Sequence, residues 1–491
     1  MAPQSETIKT TGKVEKNAMQ ASEFSGLASD SREVKPGYLF AALAGSKMNG
    51  AAFIAEAVKR GATAVLGRPD IEGAVRAFNV RFISDENPRR RLAREAARFF
   101  GAQPNTIAAV TGTKGKSSIV SFIREIWTAL GRPAASLGTV GVVTADGEIP
   151  LKNTTPGPIE VQRLLAKLKH DGIDHLAIEA SSHGLDQYRI DGAEIAAVGF
   201  TNITRDHMDY HPGFEHYLSA KLRLFSEVVR DGGIAVVNAD AAHAGRFIAA
   251  AKARSLKLMT VGEQGETIRL VSRAGRIDGQ TLGIVYEGRD YTVDLPLAGN
   301  FQASNALVAA ALVIGLGGDA AKVFAALEHL KGAPGRLEKV AIAASGAPIY
   351  VDYAHTPDSL DQVLKAVRPH VTGKLHVIFG CGGDRDKGKR PLMGEAAAAN
   401  ADVVIVTDDN PRTEDAAAIR KEALAGCPTA REIGDRAQAI FDGIAALKSG
   451  DMLIIAGKGH ETGQTVGSVT HPFSDRDQAI RAAQDLGGRA A

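Results

Sequence analysis

At 491 residues the chain is longer than one hydrophobic core organises, and about three domains of ~150 residues are expected. Lys and Arg number 58 against 56 Asp and Glu, with no basic run longer than Arg89-Arg90-Arg91, which excludes a nucleic-acid partner held by concentrated positive charge. Two cysteines, Cys381 and Cys427, exclude a disulfide scaffold and suit a reducing compartment, so a cytoplasmic location is expected.

The first twenty residues are polar, carry Lys9, Lys13, Glu15 and Lys16 without an apolar core, and read as a flexible tail, not a signal peptide. The N-terminal segment, 1–104, mixes short strands (65–66, 80–83) with a helical stretch at 53–60 and closes at Gly101-Ala102-Gln103-Pro104. A central segment, 105–333, opens with an apolar strand at 107–110 and alternates strand and helix signals, which predicts a mostly parallel sheet. Within it, the uncharged stretch 295–318 contains Pro296, Asn300, Gln302, Ser304 and Asn305; its strictly apolar part, 306–314, is too short to span a membrane. Gly332-Ala333-Pro334-Gly335 forms a hinge before the last segment, 334–491. There four apolar strands (349–351, 375–379, 403–406, 452–455) each run into a polar or glycine-rich loop. The fold class predicted is α/β.

Residues 110–118 read Val-Thr-Gly-Thr-Lys-Gly-Lys-Ser-Ser, between that first strand and a helix with Ile119, Phe122, Ile123, Ile126, Trp127 and Leu130 on one face. Strand, glycine turn, helix is the geometry that aims backbone N–H groups at phosphates. Gly112, Thr113, Lys114 and Gly115 form the turn, Lys116 is expected on the outer phosphates of ATP, and Ser117, followed by Ser118, on Mg²⁺. The strict pattern has glycine where Val110 stands, so the loop is a shortened variant.

Two more strands of this segment end in polar groups: one in Glu179, followed by Ser181, Ser182 and His183, the other in Thr201 to Asp209. Ligands of open parallel sheets sit beyond the carboxyl ends of strands, so both ends face the phosphate loop. Glu179 and His207 are the expected Mg²⁺ ligands. In a helix expected at 214–229, Lys221 falls three or four residues from Tyr217, Leu218, Leu224 and Phe225, on the apolar face. Such a lysine either snorkels to the edge or loses its proton, and the neutral amine can react with CO₂ to give a carbamate.

Gly112 to Ser117, Glu179-Ala180-Ser181-Ser182-His183, Thr201-Asn202 through Arg205-Asp206-His207-Met208-Asp209-Tyr210-His211 and Lys221 together resemble the central domain of the Mur ligases, a family with the folylpolyglutamate synthetases as relatives. The resemblance extends past the polar tail over essentially the whole chain. It implies three domains: a small α/β domain binding the UDP end of a substrate, a central P-loop ATPase domain and a C-terminal Rossmann-like domain. It implies that Ser31, in the opening Asp30-Ser31-Arg32 motif, and Ser29 just before it contact the UDP-linked substrate, and that Asn153, Thr154, Thr155, Ser181, Gln187 and Arg189 hold its muramoyl dipeptide. Asn305, Arg336, Asp352 and His355 become ATP contacts, and Lys221 a carbamylated Mg²⁺ ligand beside Ser117, Glu179 and His207. Lys114 departs from the family, which usually has a small polar residue there; Ser118 and Asn49 are conservative departures.

Three loops of the last segment, Gly380 to Arg385, Asp408 to Arg412 and Gly457 to Glu461, follow strands and should converge. Arg385 and Arg412 suit a carboxylate, while Asp409, Asn410 and Glu461 are read as acceptors for an ammonium, with Pro411 and Gly457 shaping the turns. A small amino acid with both groups at its far end fits, and meso-diaminopimelate has that end. The Asp-Asn-Pro-Arg turn resembles the diaminopimelate-adding members. The expected reaction is ATP-dependent addition of meso-diaminopimelate to UDP-N-acetylmuramoyl-L-alanyl-D-glutamate through an acyl phosphate, in peptidoglycan precursor synthesis, by a monomer without membrane or nucleic-acid partners. The rivals are a lysine-adding or other relative, and a nucleotide-binding switch that does not ligate.

Overall fold

The computed structural model describes residues 23–45 and 48–491, so the tail expected at 1–20 lies outside the described residues. The chain divides into two compact units, with the break between Phe99 and Phe100. In the first, four parallel strands, Gly26–Ala28, Tyr38–Ala41, Ala62–Gly67 and Arg81–Ser84, pair in chain order. Phe40, Ile54, Val65 and Val75 form its core.

The second unit holds two larger sheets. The parallel part of the first runs Lys257–Gly262, Ile234–Asn238, Ile195–Phe200, Thr106–Thr111, His175–Glu179, Ala134–Gly138. Ile268–Arg276 pairs parallel to Lys257–Gly262, and beyond it, as at the other edge, antiparallel strands extend the sheet. Buried on both faces, the central strands are near-continuous apolar runs, as a parallel sheet requires. One covering helix is Lys116–Ala129; another, Asn300–Gly315, is buried almost all round, with every residue from 305 to 313 inside. The uncharged stretch is therefore a core helix. Among the described residues no helix is long and apolar enough to cross a membrane.

The second sheet pairs Arg431–Glu432, Val403–Val406, Leu375–Phe379, Met452–Ala456, Pro348–Asp352, Glu338–Ile342 and Arg489–Ala490 in that order, parallel except where Glu338–Ile342 meets its two neighbours. A hairpin, Gly463–Val466 with Val469–Pro472, stands apart from it. The helix expected at 214–229 is interrupted: Phe214–Arg223 is α-helical and Leu224–Val228 is a π turn, closed by the Val229 N–H on the Leu224 carbonyl at 3.1 Å. The wider turn rephases the apolar stripe so that Leu224 and Phe225 both point inward.

Candidate active site

Thr106–Thr111 delivers the chain into the turn 112–115, and Gly115, at φ +85°, caps the helix that follows. A Cβ on Gly115 would lie 2.4 Å from Asn305 Oδ1, and one on Gly112 2.1 Å from Thr201 Oγ1, so both positions demand glycine. The strand end after Phe200 braces the turn. Asn202 accepts the Lys114 N–H on Oδ1 (3.0 Å) and the Thr113 N–H on its carbonyl (2.9 Å), and Thr201 Oγ1 donates to the Lys114 carbonyl at 2.6 Å.

Two lysine side chains share one carbonyl. Lys116 Nζ lies 3.0 Å from the Gly112 oxygen, and Lys221 Nζ 2.7 Å from the same atom. Lys221 is 1% exposed and lies 4.6 Å from the centre of the Tyr217 ring, so it does not snorkel. Desolvation and then the Lys116 charge hold its pKa well below the ordinary lysine value. Desolvation also lowers that of Lys116, against the opposing pull of Glu179. Ser117 is buried at the helix start. Glu179, buried at its strand end, accepts the Thr139 N–H at 2.8 Å and the Thr139 hydroxyl at 3.3 Å. His207 adopts φ +54° and lies one ring away from Lys221, 6.3 Å from Tyr217 and 4.9 Å from His183. Among the described residues no three His, Cys, Asp or Glu side chains gather as a metal cluster. That donor set suits Mg²⁺, which relies on few protein oxygens together with phosphates and water.

Beside Glu179, Thr155 Oγ1 donates to the Glu179 carbonyl (2.9 Å) and meets Ser181 Oγ at 3.0 Å. Arg189 Nη1 donates to the Thr155 carbonyl at 2.6 Å and Nη2 to Gln187 Oε1 at 2.8 Å; Gln187 in turn reaches Tyr210 Oη at 3.0 Å. Thr154 joins through Thr139 at 3.1 Å, and Asn153 is exposed nearby in sequence. Apart from Asn153, the expected dipeptide contacts are thus one connected network.

From the C-terminal segment, the Arg336 guanidinium stacks over Tyr353 at 4.7 Å, and its Nε is buried with no hydrogen-bond partner among the described residues. Asp352 accepts the N–H groups of Leu337 (2.7 Å) and Ala354 (2.8 Å), desolvation holding its carboxyl above the usual range. His355 is exposed beside Tyr353. A Cβ on Gly335 would lie 2.2 Å from His460 N, which ties the expected hinge to the 457–461 loop. Lys114 keeps its backbone in the turn and sends its side chain elsewhere. Its ammonium leaves the turn to pair with Asp358 at 2.7 Å and with Gln362, on the helix Pro357–Val367. An acidic helix N-terminus outcompetes the loop for this side chain.

The three C-terminal loops meet. Gly383 N donates to the Asn410 carbonyl (2.9 Å), Arg412 Nη1 to the Gly383 carbonyl (2.8 Å), and Asn410 Nδ2 to Glu461 Oε2 (3.0 Å). A Cβ on Gly457 would meet Asp409 Oδ2 at 2.8 Å. Arg385 is exposed at the rim, and Pro411 is buried. Arg412 sits at φ +52°, held there by the hairpin: its N–H donates to the Thr465 carbonyl (3.0 Å) and its carbonyl accepts the Gly467 N–H (2.7 Å). Asn410 corrects the sequence reading. Its Oδ1 is filled by the Thr465 N–H (2.9 Å) and Lys458 Nζ (3.2 Å), so its amide has an N–H to offer and no acceptor for an ammonium.

In the first unit, Ser31 Oγ donates to Glu56 at 2.8 Å while Ser29 is exposed. Sequence reasoning missed Thr139, Tyr210, Lys458 and the hairpin. Tyr210 and Lys458 carried a signal, their places inside the Arg205-to-His211 stretch and the Gly457-to-Glu461 loop already chosen.

The fold and site are those of an ATP-dependent ligase: a phosphate loop in one sheet, a charged strand-tip crevice in a second. The sequence matches the Mur ligase middle domain over residues 110–313, the Mur ligase glutamate ligase domain over 335–459 and the Mur ligase family catalytic domain over 23–100. The chain belongs to the Mur ligase family. It is 56% identical to a UDP-N-acetylmuramoyl-L-alanyl-D-glutamate–2,6-diaminopimelate ligase of Bradyrhizobium diazoefficiens, over 95% of this chain and 96% of that one. It is 52% identical to the ligase of the same name from Mesorhizobium japonicum, over 96% of each. A solved structure of a ligase of that name superposes with TM-score 0.73 at 34% identity, covering 94% of this chain and 95% of the other.

Proposed function

We propose that this enzyme joins the D-glutamate γ-carboxylate of UDP-N-acetylmuramoyl-L-alanyl-D-glutamate to an amine of meso-diaminopimelate, at the cost of ATP. The observation that carries the choice of amino acid is that the loops bearing Arg412, Asp409 and Glu461 are tied together, which gives one crevice a donor for a carboxylate and acceptors for an ammonium. The relatives' shared name agrees with it.

The phosphate turn fits ATP: Gly112 and Gly115 leave no side chain in the cradle, and the orphaned Arg336 Nε offers a buried donor. Asn305, behind Gly115, and Asp352 and His355, beside Tyr353, are assigned to the nucleotide. Ser117, Glu179, His207 and a carbamylated Lys221 are assigned to Mg²⁺, which when bound would screen the phosphates from the approaching carboxylate. The depressed pKa of Lys221 favours the neutral amine that reacts with CO₂.

Thr155, Ser181, Gln187 and Arg189 orient the dipeptide so that its carboxylate approaches the transferred phosphate in line. Lys116 faces the charge that accumulates there, and such positioning and electrostatics carry most of a phosphoryl transfer. The acyl phosphate is then attacked by the diaminopimelate amine and phosphate leaves. Ser29 and Ser31 are assigned to the UDP end. We take the enzyme to be a cytoplasmic monomer whose domains are bounded at 104 and 333.

Phosphate release tests the assignment directly. With UDP-muramoyl dipeptide and ATP, turnover should require meso-diaminopimelate, and lysine should not replace it. Equal turnover with lysine would overturn the choice of amino acid, and ATP hydrolysis indifferent to any amine would overturn ligation itself.

A further inference from the structure

We infer that Lys458 is a positioning residue of the acceptor crevice, one that sets which face of Asn410 and which oxygen of Glu461 meet the incoming amino acid. The inference rests on the functional reading above.

Lys458 has no exposed surface, so it cannot itself reach a ligand in solvent. A fully desolvated ammonium is costly unless paired, and Lys458 is paired twice within this crevice: Nζ lies 3.2 Å from Asn410 Oδ1 and 3.2 Å from Glu461 Oε2. Asn410 Oδ1 also accepts the Thr465 N–H at 2.9 Å. Both neighbours of that atom are obligatory donors, and the neighbour of Nδ2 is a carboxylate, so the network allows only one orientation of the amide. Both bonds that Glu461 receives, from Asn410 Nδ2 and from Lys458, fall on Oε2, which turns Oε1 toward other partners.

The consequence is a division of labour in the crevice. Asn410, with its oxygen occupied, joins Arg412 on the donor side and serves a carboxylate. Asp409 and the Oε1 edge of Glu461 serve the ammonium. Lys458 also offsets one of the two acidic charges. Without that offset the crevice favours a purely cationic side chain. With it, the balance suits a centre carrying one charge of each sign. A side chain that touches no substrate thereby contributes to the discrimination between diaminopimelate and lysine.

The test uses the full-length enzyme with UDP-muramoyl dipeptide, ATP, and either meso-diaminopimelate or lysine, the wild type run alongside. In Lys458→Met the KM for diaminopimelate should rise about thirtyfold, as for the loss of charge-assisted hydrogen bonds, while the KM for ATP stays within about twofold. The preference for diaminopimelate over lysine should narrow with it. Lys458→Gln keeps a donor for Asn410 but no charge for Glu461, and should give an intermediate rise. If the methionine variant does not fold, the glutamine variant is judged by the same two constants. An unchanged diaminopimelate KM in either folded variant, or a parallel rise of both constants as in general loosening, overturns the inference. A wild type that ligates lysine as well as diaminopimelate sinks the functional reading first, whatever the variants do.

Discussion

The two strand-tip crevices of the second unit hold basic side chains in opposite ways. In the phosphate turn, Lys116 and Lys221 converge on the oxygen of Gly112, a backbone dipole and not a charge, and desolvation depresses both pKa values. In the acceptor crevice each buried cation has its own carboxylate. Lys458 pairs with Glu461, Arg390 with Glu414 and Glu422, and Arg436 with Asp475 through two bonds of 2.7 Å. Backbone dipoles only partly offset a desolvated ammonium, so the first crevice gains most when a polyanion enters. The second is already near balance and selects by shape and by the sign of each end. One crevice is built for affinity to charge, the other for discrimination.

The sharpest way to break this contrast is to remove a cation from each side. Lys116→Met should cut ligation-dependent phosphate release about 10³-fold, the scale for losing a donor aimed at developing charge. Thermal stability should hold or rise, because a desolvated lysine with a depressed pKa destabilises the fold at neutral pH. A variant that kept turnover within about tenfold of wild type would show that the turn does not depend on this charge. Arg412→Ala is the counterpart. The KM for diaminopimelate should rise about a hundredfold, roughly 3 kcal/mol, and the KM for ATP should barely move. If both constants moved together, the two crevices would not be separable in function.

Much of this was readable beforehand because polar residues directly after apolar strands announce themselves. Glu179, Asn202, Asp352 and Asp409 all follow buried runs, and the fold brings their loops into crevices. The period of its helix put Lys221 on the apolar face but left snorkelling and burial both open, and its 1% exposure decides for burial. What periodicity could not reach was the interior of loops. Lys458, flanked by two glycines, has no pattern to say that it is the most buried lysine of its crevice. Arg436 and Asp475 meet across 39 positions. The hairpin that forces Arg412 to positive φ is short and exposed, with no apolar face to mark it. The orientation of the Asn410 amide is a property of three neighbours at once, beyond any reading of residue types.

Glu125 offers a subtler contrast, a buried acid at the far end of the phosphate helix. It accepts the Lys331 N–H at 2.8 Å, and burial pushes its carboxyl up to about 7. An acid raised in the fold binds its proton there more tightly than in the unfolded chain. Between the unfolded value and about 7, folding therefore takes up protons and stability falls as pH rises. Glu125→Gln should remove that loss, gaining on the order of 1–2 kcal/mol in urea unfolding at pH 8, with the gain vanishing below about pH 5. A gain independent of pH would assign the effect to packing instead.

The smallest effect is expected where the phosphate turn touches the C-terminal segment. Lys114, a cation at the edge of the phosphate turn, spends its ammonium on Asp358 and Gln362 of the C-terminal segment. The side chains of Lys114 and Asp358 are 40% and 71% exposed, so water and salt screen the pair. Lys114→Ala should therefore cost less than about 1 kcal/mol of stability and change the KM for ATP by no more than about fivefold. Asp358→Ala should act alike, and the double variant should be no worse than either, since the two residues act through one contact. A hundredfold loss of ATP affinity in Lys114→Ala, with Asp358→Ala silent, would mean that the ammonium returns to the turn and serves phosphate. The first crevice would then hold a further cation without a carboxylate partner, and the contrast with the charge-balanced acceptor site would be steeper still.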